Sequence, residues 1–260
     1  MKKTLFFLAV IITNLIIAQQ SKEGDVIKLS GFIKSDLIFD SRQVVSIREG
    51  HFLLYPTNES LDPNGKDIND KANFNALSIQ TRLNAKITGP EALGAKTSGT
   101  IEGEFFGTTD ADVNGFRLRH AFITLSWSST TLLVGQTWHP MFVTDVFPQV
   151  VSFNTGVPFQ PFSRNPQIRL THSIGNFNLI AALCSQRDLT SNGPAGFSSS
   201  YLRNSVIPNS HIQLQYKNEN VVTGAGVDLK TLTPRLETTK KYKSDETISS
   251  YSFLGYLKIK

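Results

Sequence analysis

The stretch Leu77-Ser78-Ile79-Gln80-Thr81-Arg82-Leu83-Asn84-Ala85-Lys86-Ile87 decides how the rest of the chain is read. Leu77, Ile79, Leu83, Ala85 and Ile87 fall on one side of an extended backbone, and Ser78, Gln80, Arg82, Asn84 and Lys86 on the other. Side chains of a strand alternate between faces, so this period of two predicts a strand with one apolar and one polar surface. Gly89-Pro90 ends it, and beyond a turn Gly99, Ile101, Gly103 and Phe105 alternate with Thr100, Glu102 and Glu104. Upstream, Ile27, Leu29, Gly31, Ile33, Leu37 and Phe39 oppose Lys28, Ser30, Lys34, Asp36 and Asp40, with Phe32 and Ile38 breaking the polar face. Downstream, Phe116, Leu118 and Phe122 oppose Arg117, Arg119 and Ala121, and the less regular 123–127 predicts a bulge or a buried inner face. Further strands are predicted over 132–138, 167–172, 176–185, 211–216, 221–229 and 247–260.

Polar segments at 58–71, with Asp62-Pro63-Asn64-Gly65, and at 110–115 carry turn chemistry and no periodicity. Short and long connections alternate, and no helical pattern follows the N-terminal stretch. Residues 5–17 are mostly apolar, follow Lys2 and Lys3, and end at Ala18-Gln19. That is the build of a secretory signal peptide, expected over 1–18. The run is too short for a bilayer-spanning helix, which needs about 20 apolar residues. The export signal and the alternation together predict an all-β fold for 19–260, a transmembrane antiparallel up-and-down β-barrel of porin type. A secreted soluble β-sandwich is the competing fold, because it alternates in the same way.

Composition narrows function. Hydrophobic residues make up 40% of the chain, a level that suits a membrane barrel because its apolar positions are diluted by lumen-facing polar ones. Cys184 is the single cysteine, which excludes an internal disulfide and any paired-cysteine metal or redox site. The net charge of +5 and pI near 9.3 come from scattered Lys and Arg without a basic tract, so a nucleic-acid partner is not expected. A modest positive balance favours anionic solutes. No motif supports catalysis or a cofactor: the five histidines are isolated in sequence, and no nucleophile elbow is present. Glu102 and Glu104 share a strand face, as barrel lumens commonly arrange acidic side chains.

Leu133-Val134-Gly135-Gln136-Thr137-Trp138 with Met141-Phe142, the flanking Arg117-Leu118-Arg119-His120-Ala121-Phe122 and Arg164-Asn165-Pro166-Gln167-Ile168-Arg169-Leu170 resemble elements of the DcaP-like outer-membrane porins. Gly31-Phe32-Ile33-Lys34 with Asp36 resembles that family's first barrel strand. Phosphate-selective porins of the O/P type share similar signatures. The resemblance implies a homotrimeric channel in the bacterial outer membrane, in contact with its lipid and passing small anionic solutes such as dicarboxylates. Two departures stand out. Only 19–25 separate the signal from the first strand where relatives often carry a helical segment, and the chain stops at Leu257-Lys258-Ile259-Lys260 without a terminal aromatic residue. An incomplete barrel, missing C-terminal strands, is therefore expected.

Selectivity needs a narrow place where fixed charges act before water and salt screen them. The apolar segment 139–165 is the candidate inward-folded constriction loop, with a loop over the outer rim as the alternative. Lys34, Arg82, Lys86, Arg117, Arg119, Arg164 and Arg169 are the candidate lumen residues that contact solute, with Asp36, Glu102 and Glu104 as acidic partners. Guanidinium groups grip carboxylates in paired hydrogen bonds, so they fit either an anion ladder or internal ion pairs that stiffen the wall. A non-channel structural or adhesin barrel with a plugged lumen is the functional alternative.

Overall fold

The computed structural model describes residues 26–147 and 162–260; the expected signal peptide and most of the central loop lie outside them. Ten strands make one antiparallel sheet in the order β1 (Val26–Phe32), β6 (Arg82–Thr88), β7 (Lys96–Phe105), β8 (Phe116–Ser126), β9 (Thr130–Trp138), β10 (Arg164–Ile174), β11 (Phe177–Cys184), β14 (Asn209–Lys217), β15 (Val221–Leu232) and β16 (Ile248–Ile259). Strands β7 to β10 have the 9–11 residues that a tilted membrane crossing takes, and β15 and β16 have 12. Neighbours follow one another along the chain, which is the up-and-down arrangement of an outer-membrane barrel. Strands β1 and β16 are the edges, and neither has a second sheet partner among the described residues.

Connections at one end are short: 89–95, 127–129, 175–176 and 218–220. At the other end they are long: 33–81, 106–115, 139–163, 185–208 and 233–247. The pattern is that of short periplasmic turns and long external loops. The first long excursion holds strands β2 (Asp36–Asp40) and β5 (Asn73–Leu77), which pair with each other, and the hairpin of β3 (Val44–Ile47) and β4 (Phe52–Pro56). The excursion at 185–208 carries the short pair β12 (Ser191–Gly193) and β13 (Gly196–Ser198), then a five-residue helix α1 (Ser200–Asn204) that periodicity did not predict.

Burial is inverted relative to a soluble protein. Leu29 is 77% exposed and Phe253 80%, and Ile123, Ile168, Leu170, Leu179, Ile212 and Leu214 also face outward. Glu104, Arg119, Arg164, Asn165, Gln167, His211, Gln213, Gln215 and Asp228 are buried. A soluble sandwich encloses its apolar face, so this distribution removes that alternative; the outward apolar band belongs against lipid.

Two local expectations are corrected. The alternating stretch from Leu77 to Ile87 is two strands: Ser78–Thr81 breaks it, Gln80 takes φ 67°, and Ile79 is buried instead of facing out with Leu83. Gln80 N–H donates to the Phe105 carbonyl (2.8 Å) while Phe105 N–H donates to Thr81 (2.9 Å), so pairing with β7 imposes the break. In β8 the register slips: His120 opposes Glu102 but Leu118 opposes Gly103, and Arg119 is the extra residue of a bulge. Arg119 and His120 therefore both enter the lumen, and Phe122, not Ala121, continues the inner face beside Thr100. Gly135 sits at φ 132° where an added Cβ would overlap the Ala121 carbonyl oxygen, which is why only glycine lets β9 approach β8 there.

Candidate lumen site

Glu104 is the centre of the inner face and is fully buried. It lies one residue before the end of β7, directly across in register from Arg82 and Arg117, so neighbouring strands deliver cations to both sides of it. Arg82 Nη2 donates to its Oε2 (3.0 Å), Arg117 Nη2 to its Oε1 (2.7 Å), and Arg119 Nη1 to its Oε2 (2.7 Å). The bulge lets Arg119 bridge two carboxylates, because its Nε also donates to Glu102 Oε1 (2.7 Å). Glu102 accepts in addition from Asn84 Nδ2 (3.1 Å). Arg164 reaches within 3.7 Å of Glu104 and donates from Nε to Asp188 (2.6 Å). Trp138 lies against this group, with the guanidinium carbons of Arg119 and Arg164 at 5.5 and 5.1 Å from its ring. Such contacts are favourable when the cation is desolvated.

The β3–β4 turn packs over the outer end of the same cluster. Arg48 donates to the Gly107 carbonyl and lies 5.1 Å from the Phe106 ring, and the His51 ring is 5.0 Å from Phe106. Burial, reinforced by Lys34, holds the His51 imidazole down to about 4. Below it, Lys34 pairs with Asp36. In the loop at 58–71, Asp62 Oδ1 accepts from the backbone of Lys66 and Asn64, and this lowers its carboxyl below the ordinary range. The turn forms as Asp-Pro-Asn-Gly predicts.

A second cluster lies on the wall formed by β14–β16. Asn209 Nδ2 donates to Asp228 Oδ1 (2.6 Å), while His139 Nε2 and His211 Nδ1 each stand 3.4 Å from Asp228 Oδ2. Gln213 links His211 Nε2 (3.0 Å) to Tyr256 Oη (2.7 Å). These histidines are isolated in sequence but not in space. His139 begins the segment that leaves β9, and Asp145 further along it pairs with Lys217 (2.8 Å) and offers its carbonyl to Lys258 (3.1 Å). His139 meets the wall near the long-loop end and Asp145 near the short-turn end. Residues 139–147 therefore run along the inner face for most of its height.

Every charged residue singled out from the sequence lies within or beside this interior. Arg82, Arg117, Arg119, Arg164, Glu102 and Glu104 form one network, and Lys34 pairs with Asp36 next to it. Lys86 is exposed and has no ion pair among the described residues. Arg169 hydrogen-bonds Gln167 Oε1 (2.9 Å) and the Trp138 carbonyl, also without a carboxylate among the described residues. Sequence reasoning missed Arg48, Asp145, Asp188, Lys217 and Asp228. Alternation marks Asp145 with nothing, and it marks Asp228 only as one inward position among many.

Comparison with known proteins agrees with this architecture. The profile of the DcaP outer membrane protein family matches residues 16–222. The fold is similar to the crystal structure of the outer membrane channel DcaP of Acinetobacter baumannii, with TM-score 0.64 and 20% identity over 93% of this chain. This chain spans 62% of that channel's length. It also resembles OmpT of Vibrio cholerae, a loop L8 deletion mutant, with TM-score 0.50 and 9% identity, covering 91% of this chain and 71% of the other. Among curated proteins, none matches the sequence. An antiparallel sheet with an outward apolar band, an ion-paired interior and a family match over most of its length places this protein: the chain belongs to the DcaP outer membrane protein family.

Proposed function

We propose that this protein is an outer-membrane porin through which small hydrophilic, preferentially anionic solutes diffuse passively. The observation that carries the proposal is the path of 139–147, fastened to the inner wall at Asp228 and again at Lys217 and Lys258. A segment held inside the lumen narrows it, and this places permeating solute close to fixed charge. Anion preference is supported by stoichiometry: four guanidinium groups, Arg82, Arg117, Arg119 and Arg164, share Glu102, Glu104 and Asp188. Arg169 and Lys86 add cations without carboxylate partners among the described residues. Arg119 and Arg164 are too buried to touch solute and act through their field, whereas Arg82 and Arg117 keep about a fifth of their side chains open.

Residues 1–18 act as the export signal in this proposal, and further strands join β16 to β1, because an open edge in hydrocarbon leaves backbone groups unpaired. The functional unit is a homotrimer passing dicarboxylate-like anions. The test is reconstitution of the full-length protein in planar bilayers under a salt gradient. Stepwise conductance with a reversal potential on the anion side supports the proposal, and deleting 143–158 should raise conductance. Cation preference refutes the selectivity. Absent conductance, with no solute uptake in liposome swelling, refutes the channel in favour of the plugged barrel, which the buried Glu104 cluster would then fill.

A further inference from the structure

On the outer wall, near the long-loop rim, lies an apolar groove of about 520 Å3. Its floor is Val134, Ile168 and Leu183, which lie side by side in register on β9, β10 and β11 and face outward. Its roof is α1 and the chain entering β14, which brings Leu202, Val206 and Ile207 over that floor. The roof is held in place: Thr233 N–H donates to the Tyr201 carbonyl (2.9 Å), and Ser205 Oγ donates to that of Leu202 (2.7 Å). Val206 takes φ 64°, a conformation that costs a β-branched residue on the order of 1–3 kcal/mol, and the residue is 86% exposed. The fold thus keeps an apolar tip outside the wall at a conformational cost. Arg203 lines the groove, is exposed, and has no side-chain hydrogen bond or ion pair among the described residues.

We propose that this groove holds one acyl chain of the phosphorylated glycolipid of the outer leaflet, with the Arg203 guanidinium on its phosphate. The long-loop end is the external side, so the groove opens to the leaflet built of that glycolipid. A single cation at the edge of an apolar slot matches a ligand with a phosphate head and a hydrocarbon tail. Its volume is in the range of a small-molecule site, and its exposed apolar floor opens toward the leaflet. The inference rests on the orientation of the barrel and not on which solute permeates.

Native mass spectrometry of the full-length protein in detergent, incubated with rough-type lipopolysaccharide or with phosphatidylglycerol, tests it. The expected result is one retained glycolipid per protomer, about tenfold weaker retention in Arg203→Gln, partial recovery in Arg203→Lys, and none in Leu183→Trp, which fills the slot. Heat-modifiable migration on gels checks that each variant is folded, and single-channel conductance should be unchanged in all of them. Equal retention of phosphatidylglycerol, or Arg203→Gln binding like the wild type, overturns the proposal. So does rapid disulfide crosslinking of Val206→Cys between copies, since a second copy would then occupy the groove.

Discussion

Replacing Glu104 with Gln removes the charge on which four guanidinium groups converge, and its cost follows from their burial. Arg119 and Arg164 keep only 5% and 2% of their side chains exposed, so water cannot replace the lost carboxylate around them. Breaking a buried pair by deleting one partner costs about 3–5 kcal/mol. Arg82 and Arg117 are about a fifth exposed and recover some hydration, which puts the expected loss near the lower end, about 3 kcal/mol. The new amide also turns two N–H donors toward a site already crowded with donors. Urea unfolding followed by tryptophan emission is the assay, because Trp138 lies directly on Arg119 and Arg164 and reports the cluster. Glu102→Gln should cost less, since Glu102 is 15% exposed, and adding Arg119→Met to Glu104→Gln should return part of the loss. In bilayers the same charge removal should move the reversal potential further toward anions. If Glu104→Gln unfolds within about 0.5 kcal/mol of the wild type, the ion-pair cluster does not hold the inner wall together.

Gly135→Ala should abolish folded, heat-modifiable protein, because it combines a positive φ with a clash against the Ala121 carbonyl; normal refolding yield would refute the tight β8–β9 approach. Asp228→Asn should weaken the hold on His139, seen as noisier open-channel current; an unchanged trace would show that Lys217 and Lys258 suffice. His51 is held near 4 when the β3–β4 turn is docked and titrates near 6.5 when it is free. The detached turn therefore binds the extra proton, so docking contributes fully above about pH 6.5 and weakens as pH falls toward about 4. The protection of amides 48–52 against hydrogen exchange should be lower at pH 5 than at pH 7, and His51→Asn should remove that pH dependence.

The strands were legible because lipid on one side and water on the other force a period of two into each of them. The Asp62 turn was equally legible, since its hydrogen bonds are made within five residues. What single-strand alternation cannot show is anything that depends on the strand opposite. The bulge at Arg119 exists because β8 carries one residue more than β7 between two matched positions, and neither strand alone records that difference. The break at Ser78–Thr81 has the same origin in its exchange of hydrogen bonds with Phe105. Arg82, Arg117 and Arg119 were found because they alternate, and Arg164 and Arg169 because they bracket the return of the loop; Asp228 and His139, which lie far apart in the chain, were not, because their only common signal is a contact that folding makes.

Trp138 joins the two halves of the lumen into one device. Its ring covers Arg119 and Arg164, its carbonyl accepts from Arg169, and the next residue is His139, where the inward segment departs. Phe142 and Phe162 pack on the same ring at 4.6 and 4.8 Å, so the segment leaves and rejoins the wall against a single aromatic surface. Displacing that segment would uncover the guanidinium groups to water and raise the local dielectric around them. In the proposed channel, pore width and the field acting on anions would therefore depend on one packing arrangement. A substitution at Trp138 should change conductance and selectivity together, whereas one at Lys217, at the far end of the tether, should change conductance first.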